Sequence, residues 1–162
     1  AFIRRGYPLS VFTQAVYALA ERNIPVVVHI ILGLPGESRE TVLRTIDYLN
    51  RLPIQGVKLQ LLHVLSDSDL ADLYRAGEYT PLEKEEYLTL VGDCIAHLRA
   101  DIVLHRLTGD GDKNTLLAPL WSLRKRDVLN HLHRYLRENH IRQGMSCKID
   151  LSVIYNKPKD VL

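Results

Sequence analysis

Three groups of residues with chemical potential stand at the ends of apolar, β-branched runs. The first is Gly33-Leu34-Pro35-Gly36-Glu37, after "VVVHIIL". The second is His63, with Lys58 and Gln60 earlier in "GVKLQLLHVL". The third is His105-Arg106-Leu107-Thr108-Gly109-Asp110, after "DIVL". Gly33 lets backbone approach a ligand, because no Cβ stands in the way. A helix starting after Glu37 would offer free N–H groups to an anion. The stretch is not G-x-G-x-x-G and lacks the Lys of a phosphate loop. An ordinary strand-to-helix turn therefore competes with a ligand site. Glu37 is a ligand contact in one reading and a favourable charge near a helix N-terminus in the other. Arg106 can grip a carboxylate or phosphate through two parallel hydrogen bonds. Asp110 can accept from a ligand hydroxyl or amine, or cap a turn. A polar loop with one structural Arg–Asp pair is the alternative there.

Within the second run, Lys58, Gln60 and Leu62 share one strand face, and Leu59, Leu61 and His63 the other. Polar groups in so apolar a strand are costly unless paired or wet. A barrel interior open to a cavity meets that need; so does a Lys58 that snorkels from an exposed strand start. His29 reads as a satisfied core histidine. His131, His133 and His140 lack a Cys partner or an H-E-x-x-H pattern, so a solvated helix face outweighs a metal site. Arg124, Lys125 and Arg126 place positive charge against the dipole of the last helix. They form either a solvated cluster or a contact for an anion, RNA or a protein.

These residues need elements to hold them. The spacing predicts helices over "LSVFTQAVYALAERN", "SRETVLRTIDYLNRL" and "SDSDLADLYRAG". It predicts two more over "TPLEKEEYLTLVGDCIAHLR" and, from Ser122, "SLRKRDVLNHLHRYLREN". Ser38 is the expected N-cap of the second helix, Ser66 or Asp67 of the third, and Thr80 with Glu83 the capping box of the fourth. "IPVVVHIIL", "GVKLQLLHVL" and "DIVLHRLTG" read as strands. Continuous apolar strands alternating with helices imply α/β architecture with parallel strands covered by helices. Ligands in such sheets gather at the carboxyl ends of the strands. Three strands are too few for a closed barrel, so the chain is either a small open domain or the later part of a barrel. The tail, residues 145–162, is a candidate edge strand.

Bulk properties bound the rest. The chain has 162 residues, 46% apolar and 25% charged, enough for one domain with a core. A net charge of +2 does not by itself argue for nucleic acid. No apolar run reaches the ~18 residues of a membrane span, and the first residues lack the apolar centre of a signal peptide. Cys94 and Cys147 form neither a disulfide framework nor a metal spacing, which fits a reducing, cytoplasmic setting. The chain does not begin with Met and reads as a piece of a longer one.

Taken together, "VVVHIILGLPGESRET", "GVKLQLLHVLSDSDLADLYRAGEYTPLEKEEYLTLV" and "VLHRLTGDGDKNTLLAPLWSLRKRDVLNHL" resemble one family. It is the C-terminal half of the radical S-adenosylmethionine (SAM) proteins of the predicted Fe–S oxidoreductase group, similar to the elongator and oxygen-independent coproporphyrinogen enzymes. The resemblance covers residues 1–144. It implies the C-terminal part of a partial (β/α) barrel. It also implies, for the intact protein, a [4Fe–4S] cluster held by a three-cysteine loop, with SAM on its fourth iron. Reductive cleavage of SAM there gives a 5′-deoxyadenosyl radical. The cluster motif is absent from this sequence, and neither Cys94 nor Cys147 replaces it. The chain alone is therefore expected to be inactive and to retain neither cofactor, with SAM binding weak or undetectable. Its implied partners are the N-terminal half of the barrel and an unknown substrate, RNA among the candidates; no membrane is implied. The resemblance places Ile31, Gly33, Leu34, Pro35 and Glu37 on the SAM side. Strand-end geometry places Lys58, His63, His105, Arg106 and Asp110 on the substrate side. Where many members carry Gly-Thr-Pro after the second strand, this chain has Ser66-Asp67-Ser68. The rival reading is a (β/α) enzyme that binds a phosphorylated metabolite at the same rim, using the helix after Gly33 and Arg106. A non-catalytic RNA- or protein-binding module is the other.

Overall fold

The computed structural model describes residues 6–109 and 111–149. Asp110 and the tail from residue 150 lie outside the described residues, and so does most of the candidate edge strand; residues 145–149 are turn and coil. Three parallel strands form the main sheet: β1 (Val27–Leu32), β2 (Gly56–Leu61) and β4 (Val103–Arg106), in the order β1-β2-β4. β1 and β2 pair without interruption from Val27↔Gly56 to Leu32↔Leu61. β4 pairs only with the first half of β2, and a bulge sets Arg106 opposite Lys58.

One sheet face is covered. Ile30 and Leu32 of β1 and Val57, Leu59 and Leu61 of β2 are buried. They join Val42, Ile46 and Leu49 of α2 (Arg39–Leu49) and Tyr87, Leu88, Val91, Cys94 and Ile95 of α4 (Lys84–His97) in one core. Helix α1 (Leu9–Glu21) adds Val16, and α5 (Lys125–Glu138) adds Val128 and Leu132. Helix α2 packs on α4, and α4 on α5. Gly92 makes the second contact close: a Cβ there would stand 2.8 Å from the Tyr135 ring. The opposite face is uncovered. Val27, His29 and Ile31 of β1, and Val103 and His105 of β4, are exposed there, and Lys58 and Gln60 of β2 are half-buried.

Several local expectations shift. The second strand does not run through His63 to Leu65. It stops at Leu61, and β3 (Val64–Leu65) instead pairs antiparallel with β5 (Leu116–Ala118) in a second small sheet. The short helix α3 (Asp69–Arg75) follows, with Ser68 rather than Ser66 or Asp67 at the N-cap position; its hydroxyl donates back to Leu65 O at 2.7 Å and does not cap the helix. Helix α4 begins at Lys84, and its capping box is Glu83 with Glu86 rather than Thr80 with Glu83. Tertiary packing displaces the start, because Tyr79 and Pro81 are buried before it. The last helix begins at Lys125, after a 3₁₀ turn over Leu120–Leu123. Ser122 does not cap it, because its hydroxyl donates to Pro119 O at 2.8 Å.

The turn from α2 into β2 is held by a buried arginine. Arg99, 1% exposed, directs its guanidinium at Asn50 O (2.8 Å), Leu52 O (3.3 Å) and Ile54 O (3.4 Å), and pairs with Asp101 at 3.0 Å. Asn50 in turn donates to His97 O at 2.7 Å and accepts from Arg99 N at 2.9 Å. These bonds satisfy backbone carbonyls that burial would otherwise leave costly.

Candidate functional site

The carboxyl end of β1 turns sharply. Gly33 has φ +90° and Gly36 φ +73°, both in the region that favours glycine. Glu37 N donates to Leu34 O at 2.9 Å and closes the turn. Glu37 Oε2 returns to accept from Leu34 N at 3.4 Å. Burial raises the Glu37 pKa, and the backbone donors of Leu34 and Gly33 partly offset it. Ser38 caps α2 by accepting from Thr41 N at 3.2 Å. One N–H of the α2 N-terminus is therefore already taken by Ser38 Oγ, and the Glu37 carboxylate lies in the turn before it, which weakens its use as a phosphate cradle.

The space beside Gly33 is occupied. A Cβ at this position would lie 3.0 Å from Leu82 Cδ1. Tyr79 donates its hydroxyl to Gly33 O at 2.8 Å, and burial pushes its pKa up to about 12. Absence of a side chain at 33 thus admits the 79–82 segment. The segment is anchored from behind: Trp121 Nε1 donates to Leu82 O at 3.2 Å. The Trp121 ring lies 5.6 Å from that of Tyr87, whose hydroxyl donates to Leu107 O at 3.1 Å. The "HRLTG…APLWSL" residues so act as the frame of the β1 rim. Of the residues assigned to the SAM side, Ile31 offers apolar surface to the uncovered face, being 41% exposed. Gly33, Leu34, Pro35 and Glu37 form the turn directly above it.

The substrate-side residues separate into two levels. Lys58 stands mid-strand on the uncovered face, beside its register partners His29 and Arg106. His105 packs over Gly56, the first residue of β2: a Cβ on Gly56 would stand 2.4 Å from His105 Nε2. That level is roughly 16 Å below the end of β2 at Leu61, at 3.3 Å per residue. His63 lies beyond that end, away from Lys58, Arg106 and His105. Its Nε2 meets Ser122 Oγ at 3.1 Å. Since the Ser122 proton goes to Pro119 O, His63 is the donor in this pair. Cβ atoms on Gly109 and Gly111 would stand 2.7 and 3.2 Å from the His63 ring. His63 is thereby clasped between the loop after β4 and the 3₁₀ turn. Asp110, between those glycines in sequence, is outside the described residues.

His29 is the residue that sequence reasoning placed wrongly. It is exposed on the uncovered face, not a core histidine. Its parity with Ile31 and its register with Lys58 are the signals that would have found it. Tyr79 and Trp121 were also missed as parts of the rim, because both act across long sequence separations.

The donor set of an iron–sulfur cluster does not fit this chain. Cys94 is buried in α4, and burial pushes its thiol up to about 12. Cys147 sits 3.7 Å from Asn50 Nδ2. Among the described residues no three His, Cys, Asp or Glu side chains converge as a metal site.

An open parallel sheet, helices on one face and a glycine-turned rim define one half of a (β/α) barrel. The sequence matches the Radical_SAM C-terminal domain family over residues 54–138, and the chain belongs to that family. The uncharacterized protein YtqA of Bacillus subtilis (strain 168) is 32% identical over 142 residues, covering 88% of this chain and 44% of YtqA. Protein YhcC of Escherichia coli (strain K12) is 31% identical over 139 residues, covering 86% of this chain and 45% of YhcC. The uncharacterized protein MJ0486 of Methanocaldococcus jannaschii is 32% identical over 143 residues, covering 88% and 44% respectively. The chain thus spans under half the length of these curated relatives. Among solved structures, the archaeal Methanocaldococcus infernus Elp3 with an N-terminal deletion superposes with a TM-score of 0.72 at 17% identity. That match covers 86% of this chain and 33% of the Elp3 chain, and it shows a shared fold. The fold class is accordingly α/β, the C-terminal part of a partial barrel of radical SAM type.

Proposed function

We propose that this chain is the C-terminal half-barrel of a cytoplasmic radical SAM Fe–S oxidoreductase, which as a whole cleaves SAM reductively to a 5′-deoxyadenosyl radical. One observation carries the reading: the sheet face opposite the helices is uncovered and bears both apolar and polar side chains. In a barrel that face is the lumen. The bound cluster would supply the electron for SAM cleavage; its ligands come from outside this chain. This chain's residues contribute the wall. Ile31 supplies apolar surface for a flat ring. The Gly33–Glu37 turn closes the top, held by Tyr79 and Leu82, and Lys58, Gln60, His29 and His105 line the sheet below.

Three measurements test this. The upstream coding sequence should contain a three-cysteine loop. The full-length protein, reconstituted with iron and sulfide under anaerobic conditions and reduced, should form 5′-deoxyadenosine and methionine from SAM. Absence of both the loop and the products would sink the reading. The chain alone should show no SAM binding by calorimetry; tight binding without iron would contradict the assignment of its anchor to the other half.

A second reading rests on the outer face of α5. Arg126, His133, Arg134 and Arg137 are exposed along it, and a groove of about 540 Å³ at its end is lined by His133, Leu136, Arg137, His140, Ile141 and Arg142. This basic face fits a polyanion such as RNA. Binding through it would weaken steeply with salt, and a flat salt response would remove it.

A further inference from the structure

The uncovered face has a chemical bias. Its strand positions are Val27, His29 and Ile31 on β1, Gly56, Lys58 and Gln60 on β2, and Val103 and His105 on β4, with Arg106 in register beside Lys58. None is Asp or Glu. Val27 and Val103 lie at its lower end and Ile31 at its upper end, and the polar residues lie between and beside them: His29 beside Lys58, Gln60 one step above, level with Ile31, and His105 over Gly56. Strands paired in register lie ~4.8 Å apart, so the His29 and Lys58 side chains leave the sheet as neighbours. An ammonium and imidazole N–H groups are donors suited to an anion. No carboxylate on these strands competes for them.

Depth adds to the bias. His29 and Lys58 stand three positions before Leu32 and Leu61, where the strands end. At 3.3 Å per residue that is ~10 Å below the rim. His105 closes the floor below them, because its ring fills the space over Gly56, where a Cβ would stand 2.4 Å from Nε2.

We infer that the lower part of this face, His29 and Lys58 with His105 one level beneath them, is a subsite for the anionic group of an elongated small-molecule substrate, a carboxylate or a phosphate. The reacting end of that substrate lies at the Gly33 rim, about 10 Å above. The inference rests on the half-barrel reading and names the substrate class of its lumen. Gln60, between the two levels, holds a neutral polar part of the same molecule.

The test is an anion titration of the 162-residue chain, followed through histidine side-chain NMR resonances at constant ionic strength. Pyrophosphate and succinate are the probes. Either probe should shift His29 and His105 saturably. Lys58→Gln should weaken binding about tenfold, the loss expected for one charged hydrogen bond. Arg44→Gln, on the far side of α2, should leave it unchanged. Binding of pyrophosphate alone assigns a phosphate; binding of succinate alone assigns a carboxylate. No saturable shift, an affinity unchanged in Lys58→Gln, or an equal loss in Arg44→Gln overturns the inference. SAM cleavage by the full-length protein is read separately. A protein that cleaves SAM but whose C-terminal chain ignores both anions defeats this subsite and leaves the half-barrel reading standing.

Discussion

At the scale of single residues, the rim is a set of mutual constraints around Gly33. Its positive φ and the Leu82 contact at 3.0 Å both exclude a side chain. Gly33→Ala should therefore cost about 1–2 kcal/mol in denaturant unfolding, from backbone strain and the displaced leucine. Tyr79→Phe removes one half-buried hydrogen bond to Gly33 O and should cost about 1 kcal/mol. Glu37 gives a pH-dependent counterpart. Burial raises its folded-state pKa above the ordinary value, so ionisation at neutral pH disfavours the folded state. That penalty is present above the raised pKa and fades as pH falls toward the ordinary carboxylate value. Glu37→Gln should thus melt above wild type at pH 7, with the difference shrinking as the solution is acidified. A difference that grows on acidification would reverse the assignment of burial as the dominant cause.

At the scale of elements, the legible features were those fixed by local sequence. β1 and α2 emerge where hydrophobic period and the Ser38 cap agree, and both lie where expected. The second strand was over-extended, since nothing in "GVKLQLLHVL" marks a break at Leu62. The break comes from "LLA" at 116–118, which claims Val64 and Leu65 from far along the chain. The capping box shifted by three residues because "TPLEKEE" offers two equally spaced candidates, and Tyr79 and Pro81 are drawn into the core. Arg99 left no sequence signal at all: "HLRADIV" does not reveal that the α2–β2 turn needs its guanidinium. That element-level role makes a sharp prediction. Arg99→Lys keeps the charge but loses the planar fork that serves three carbonyls. It should destabilise by about 3 kcal/mol, near the cost of leaving buried groups unpaired, read as a lowered urea midpoint at unchanged slope. A change under ~0.5 kcal/mol would show that those carbonyls find other partners.

At the scale of the whole molecule, one fact organises the rest: the sheet is finished on one face and unfinished on the other. Helices bury Leu32, Val57 and Leu59 completely, while Ile31 and Val103 on the reverse stay 41% and 57% exposed. β1 also has a strand on one side only among the described residues. An edge strand presents unpaired backbone groups along its outer side. Amides on the β2 side of β1 are held, and those on the outer side exchange with solvent. Hydrogen exchange of this chain should therefore alternate along Val27–Leu32, fast and slow by turns. In the full-length protein a preceding strand of the barrel would pair with that edge, and the fast set should become slow while the slow set is unchanged. The uncovered side chains should follow, with Ile31 and Val103 losing accessibility to a hydrophobic dye that binds the isolated chain. A fast set that stays fast in the full-length protein would mean that β1 is a true edge, and the lumen assigned to its exposed face would then open directly to solvent.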